Sequence, residues 1–278
     1  ITITLLIKED SSMKFYILCD IEGVASLACW DEARSANACY APMAREMALE
    51  AAAAARGLFS GGADEVVIED MHGDGCNIDC ALLPRDARLL RGITHDIVGL
   101  TGIFDESYDG VLMVGFHDAA SAPGNPTSHT MVSSRIFRLT VNGTLWGEFE
   151  MYVHAAAYRG VPTLFASGDE GMCAAAARTV PGLLTVPTKS GHGYGVLTKT
   201  PELVCEEIED MMAKAVAAAK TATPPALPDH FHVEVTYVHH YDAYGCSHYP
   251  GASLISPTTV AFDADDYGDV LRFFYFVI

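Results

Sequence analysis

Basic residues are scarce in this 278-residue chain: 17 lysines and arginines face 36 aspartates and glutamates, for a formal net charge of −19. That balance repels phosphate backbones and anionic headgroups, so neither nucleic acid nor a membrane surface is expected as a partner. Long apolar runs are missing as well. No stretch reaches the roughly 18–20 residues that span a bilayer, and the tail RFFYFVI reads as a packed terminal element. The eight cysteines include no C-x-x-C pair and read as reduced thiols of a cytoplasmic protein. Also absent are H-E-x-x-H, G-x-S-x-G and a G-x-x-x-x-G-K phosphate loop. The glycine-rich GHGYG at Gly191–Gly195 does not replace the last of these, and Ser128 beside His129 lacks the elbow that serine catalysis uses.

What is present is a globular composition, half of it hydrophobic, in a chain long enough for an ample core. Residues 1–12 have neither a basic start nor a cleavage site; they are expected to be a leader, an upstream extension or a vector-derived stretch. From Lys14, apolar strands alternate with helices. A long alanine-rich helix starts near Pro42, and another follows Thr200 as N-cap and Pro201 at N1. Asn142-Gly143 marks a hairpin that leads into a helix near Glu148. The pattern predicts an α/β fold with a mostly parallel or mixed sheet flanked by helices. A catalytic domain over 13–220, a proline-rich linker over 221–230 and a smaller C-terminal α+β portion over 231–278, packed on the main domain, complete the expected organisation. That last part should hold a strand near His232–His239 and a final helix or strand near Asp265–Ile278.

The chemistry gathers where strands end. FYIL runs straight into Asp20 and Glu22, two carboxylates that strand alternation would point to one side. Such a pair at the edge of an apolar core needs a proton or a cation between its members. His72 follows VVIEDM, His117 follows VLMVGF, and Glu148 opens the helix after the hairpin. Carboxylates and imidazoles converging on one sheet edge form a ligand set for zinc or a similar divalent ion. Three carboxylates and a bridging hydroxide balance two divalent ions better than one, which points to a dinuclear hydrolytic centre. His230 and His232 form a further cluster, either a second metal site or surface histidines. Cys76 and Cys80 near His72 are either thiolate ligands or ordinary thiols, and Met211 and Met212 read as core.

DIEG after an apolar strand, DMHGDGCN, GFHDAASAPG, SHTM and GEFEMYV occur in the order and spacing of the D-aminopeptidases encoded in bacterial dipeptide-transport operons, and Met13 to about Lys220 resembles that family. The resemblance implies a dinuclear zinc peptidase with two Zn²⁺ per chain, cleaving short peptides with D-residues at the amino end. It implies that Asp20 bridges the ions, that Glu22 and His117 complete one site, and that His72 and Glu148 complete the other. His129 would be the catalytic residue, as nucleophile, acid/base or oxyanion donor, in a ring-shaped homo-oligomer, a decamer in the family. Two departures stand out. Leu18 occupies a position where the family usually has serine, and Glu150 adds a carboxylate that would attract a cationic amino terminus if it turned inward. A metal-dependent phosphatase with Asp20 as nucleophile, and a non-catalytic metal- or peptide-binding protein, are the competing readings.

Overall fold

The computed structural model describes residues 12–96 and 103–278; most of the expected leader therefore lies outside the described residues. The chain runs through β1 (Lys14–Cys19), α1 (Trp30–Ala33), α2 (Tyr40–Ser60), β2 (Glu65–Asp70), β3 (Arg88–Leu90) and β4 (Gly110–Phe116). β5 (Ile136–Val141), β6 (Thr144–Leu145) and α3 (Glu148–Tyr158) follow, then β7 (Thr163–Asp169), α4 (Glu170–Thr179), β8 (Leu184–His192), β9 (Gly195–Thr198) and α5 (Pro201–Ala219). Beyond the proline-rich stretch come β10 (Phe231–Tyr237), α6 (His240–Cys246), β11 (Ser253–Ser256), β12 (Thr259–Ala264) and α7 (Tyr267–Val277).

Apolar strands without polar alternation must be covered on both faces. β1, β4 and β7 are of this kind, and they occupy the middle of a seven-stranded sheet ordered β3-β2-β1-β4-β7-β8-β9. All its pairings are parallel except the edge pairing of β9 on β8. Along β1, Phe15, Ile17 and Cys19 face α2 and α5, where they meet Met47, Ala51, Leu58, Ile208 and Met212. Tyr16 and Leu18 face the other way, towards Phe149, Val153 and Met172 of α3 and α4. Leu18 thus serves the core. α2 and α5 cross closely at Gly57, where a Cβ would lie 2.5 Å from the Glu209 carbonyl oxygen. No helix among the described residues is long and apolar enough to cross a membrane.

The second sheet is antiparallel, ordered β11-β12-β10-β5-β6. Its hairpin turns at Asn142 and Gly143, both with positive φ (51° and 77°), the backbone that the Asn-Gly pair predicts. β10 pairs with β5, Val233 opposite Val141, so the C-terminal strands are completed by a hairpin from the middle of the chain. α7 covers this sheet with Val270, Leu271, Phe273, Phe274 and Val277, and the terminal element is a helix. α3 belongs to both cores. Phe149 and Val153 pack under the parallel sheet, while Met151 and Ala155 pack under the antiparallel one.

Candidate metal centre

β1 stops at Cys19, so Asp20 and Glu22 share a side through a loop and not through strand alternation. That loop is tied down residue by residue. Asp20 N–H donates to the Val114 carbonyl at 2.9 Å and Gly23 N–H to the Gly115 carbonyl at 2.8 Å. A Cβ on Gly23 would sit 1.7 Å from the Phe116 carbonyl oxygen, so the DIEG glycine is required by this approach to β4. Lys189 of β8 is buried and donates to the carbonyls of Glu22 (2.6 Å), Val24 (2.8 Å) and Leu27 (2.7 Å). Thr188 Oγ1 donates to the Gly23 carbonyl, Asn125 Nδ2 to the Glu22 carbonyl, and Glu50 accepts from Ala25 N–H.

The histidines arrive from neighbouring strand ends. His72, after β2, donates from Nε2 to the Ala33 carbonyl at 2.6 Å. Its Nδ1 then faces Asp20 Oδ1 at 3.3 Å and Glu22 Oε2 at 3.1 Å. His117, after β4, donates from Nδ1 to the Asp118 carbonyl at 2.9 Å. Its Nε2 faces Asp20 Oδ2 at 3.3 Å and Glu148 Oε1 at 3.4 Å. Glu148 opens α3, and its Oε1 also accepts from Met131 N–H at 2.7 Å. His129 donates from Nδ1 to the Thr127 carbonyl at 3.0 Å and holds Nε2 3.7 Å from Glu148 Oε1. Its ring lies between the face of His117, 4.2 Å away, and the edge of Trp30, 5.1 Å away.

The acids and imidazoles fall into two groups. Glu22 sits with His72, and Glu148 sits with His117 and His129. Strand order explains this. β2 lies on one side of β1 and β4 on the other, so His72 and His117 flank Asp20, while the N-terminus of α3 approaches from the β4 side.

Each imidazole spends one ring nitrogen on a carbonyl oxygen, which can only accept, and leaves the other aimed at carboxylates. Metal-binding histidines are oriented in this way by their outer partners. Glu22 Oε2 and His117 Nε2 are buried, and their only polar contacts among the described residues are these imidazole–carboxylate ones. Burial opposes charge on His72, yet hydrogen bonds to Asp20 and Glu22 outweigh it and push its pKa up to about 11. His117 is driven up well above its ordinary value against its own burial, by Glu148 and Asp20. Burial would raise the Asp20 pKa, but hydrogen bonds from His117 and His72 hold it well below the usual carboxylate range. The cluster demands positive charge, and the donor set fits a divalent cation with nitrogen and oxygen ligands.

Glu150 does not join the cluster. Its Oε2 accepts from Gly147 N–H at 2.9 Å, capping α3, and its Oε1 accepts from Thr179 Oγ1. His230 is exposed and His232 half-buried, both ion-paired with Asp263, His230 also with Asp265. Cys76 and Cys80 are free and exposed, and neither joins the two groups of converging ligand atoms found among the described residues. Met212 is buried between α2 and α5 with Met211 packed against that core. Lys189, Asn125 and Trp30 are the contributors that motif reading misses. They carry no ligand chemistry of their own, and their partners are carbonyls and rings. Asp20, Glu22, His72, His129 and Glu148 open onto a cavity of 550 Å³ lined also by Trp30, Glu69, Met71, Asp96, Met151, Tyr152 and Phe274.

The family model described as D-aminopeptidase matches residues 13–276. A curated D-aminopeptidase from Bacillus subtilis (strain 168) is 26% identical over 256 residues, covering 91% of this chain and 92% of that protein. The solved structure of a Zn-dependent D-aminopeptidase, DppA from Bacillus subtilis, described as a self-compartmentalizing protease, superposes with a TM-score of 0.87. It is 24% identical and covers 94% of this chain and 95% of that one, a likeness of fold. Matched over nearly its whole length by that family model, the chain belongs to the D-aminopeptidase family.

Proposed function

We propose that this protein is a zinc-dependent aminopeptidase that hydrolyses short peptides bearing a D-residue at the amino end, with two zinc ions per chain. The observation that supports this best is Asp20, whose Oδ1 faces His72 and whose Oδ2 faces His117, each at 3.3 Å. Asp20, Glu22 and His72 would hold one ion, and Asp20, His117 and Glu148 the other. Imidazole nitrogens beside carboxylates suit zinc. Magnesium, which the phosphatase reading needs, takes oxygen ligands and keeps its waters. Bound zinc supplies Lewis acidity and makes a water acidic near neutral pH.

The chain's own groups do the rest. His129 has committed Nδ1–H to Thr127, so its Nε2 presents a lone pair beside Glu148. There it can take up a proton and return it to the leaving amine. Trp30 and His117 hold the ring in that orientation. Asp20, Glu22, Glu69, Asp96 and Glu148 give the cavity an acidic lining that favours a cationic amino terminus. With Glu150 engaged in capping α3, this attraction falls to the cavity acids.

The same proposal includes a homo-oligomeric ring, a decamer by family resemblance, and a cytoplasmic location where the free cysteines stay reduced. Metal analysis of purified protein should give two zinc ions per chain. Hydrolysis of D-alanyl dipeptides should stop on chelation and return with added zinc. Turnover that survives complete zinc removal would end the metal mechanism.

A further inference from the structure

The 550 Å³ cavity at the ligands has no lysine or arginine among its described lining residues. Beside it lies a second cavity, of 380 Å³, which shares Glu22, Trp30, His72 and Gly73 with the first. Arg34 is the one lysine or arginine among the described residues lining the second cavity. It follows the last residue of α1, and its guanidinium carbon stands 5.4 Å from the centre of the Trp30 ring. Trp30 in turn meets the His129 ring edge-on. Two ring contacts therefore connect the cation to the proposed proton carrier.

Arg34 is exposed, and among the described residues no carboxylate lies in ion-pair range of it and no hydrogen bond engages its guanidinium. The aromatic face fixes the side chain without consuming its N–H donors. In a chain of net charge −19, a cation free of carboxylate partners beside an acidic cavity is a place where an anionic substrate group gains attraction. A short peptide carries such a group at its far end, and an extended dipeptide spans about 7 Å.

We propose that Arg34 is the subsite for the free terminal carboxylate of a di- or tripeptide whose amino-terminal residue lies in the cavity at the metal ligands. The proposal rests on the peptidase reading and narrows its substrate class to very short peptides with an unblocked carboxyl end. The planar guanidinium offers paired donors that match a carboxylate.

The test compares D-alanyl-D-alanine with its carboxyl-terminal amide on the zinc-loaded full chain and on Arg34→Gln and Arg34→Lys. In wild type the free acid should show a KM about tenfold or more below that of the amide. Arg34→Gln should raise the acid's KM about tenfold, leave kcat and the amide's KM unchanged, and so abolish the preference. Arg34→Lys should restore part of it. Equal KM values for acid and amide in wild type, or equal losses on both in Arg34→Gln, would overturn the proposal. If wild type turns over neither peptide, the peptidase reading fails on its own account. Calorimetric titration of the same two peptides into wild type and Arg34→Gln then decides: acid-selective binding lost in the variant supports the subsite, and unselective or absent binding ends it.

Discussion

Lys189 places a buried ammonium against backbone and not against carboxylate, and all three of its donors go to the loop that carries Glu22. In Lys189→Met the Val24 and Leu27 carbonyls lose that donor, at about 1–3 kcal/mol each. We expect at least about 2 kcal/mol less stability in urea unfolding, with weaker zinc retention against a chromophoric chelator. Folded variant that retains zinc like wild type would show that the loop does not depend on this contact. His72→Ala should remove zinc selectively from the Glu22 side, taking the content from two ions per chain to one by elemental analysis. Behind the loop, burial pushes the Glu50 carboxyl from its ordinary 4.5 up to about 8, and burial pushes Glu46 up to about 7. A carboxyl that holds its proton more tightly in the fold adds stability that is full below the unfolded value, near 4.5, and is lost as pH rises through the folded one. Glu50→Gln should therefore gain urea midpoint relative to wild type between pH 5 and pH 8.5, and a constant difference across that range would contradict this. Side chains that carry ligand chemistry were legible in the sequence because acids and imidazoles at strand ends announce themselves. Lys189 was not, since a carbonyl partner belongs to every residue alike.

Among the elements, α3 has the most to hold. It starts at Glu148, is capped by Glu150 reaching back to Gly147, and packs against both sheets. Glu150→Ala removes the acceptor for the Gly147 N–H and for the Thr179 hydroxyl, and should cost about 1–2 kcal/mol in urea unfolding. Glu150→Gln keeps an acceptor and should recover most of that loss. Equal losses in the two variants would show that the cap contributes little. The helix itself and its starting point could be read from the sequence, as could the Asn142-Gly143 turn and the parallel strands, because each is specified by neighbours along the chain. The antiparallel sheet could not. Its central pairing joins β5 to β10 across α3, four more strands and two helices, and nothing local records that Val141 lies opposite Val233. The same distance in sequence hid the pairing of Glu22 with His72, which follows from strand order and not from motif spacing.

For the whole molecule, the five proposed ligands join segments that are far apart in the chain: the β1 loop, the ends of β2 and β4, and the start of α3. An ion that binds only the assembled set stabilises the fold by mass action, by about 4 kcal/mol at a thousandfold excess over its dissociation constant. The thermal midpoint should rise with the logarithm of free zinc and fall on chelation; a midpoint indifferent to zinc would mean that the ligands bind no ion in the folded state. α7 extends this dependence to the far end of the chain, since Phe274 both packs in the second core and lines the ligand cavity. Glu148 is therefore placed by a helix whose seat includes residues of the 231–277 portion. Substitutions that loosen α7, remote in sequence from every candidate ligand, should weaken zinc retention together with the fold.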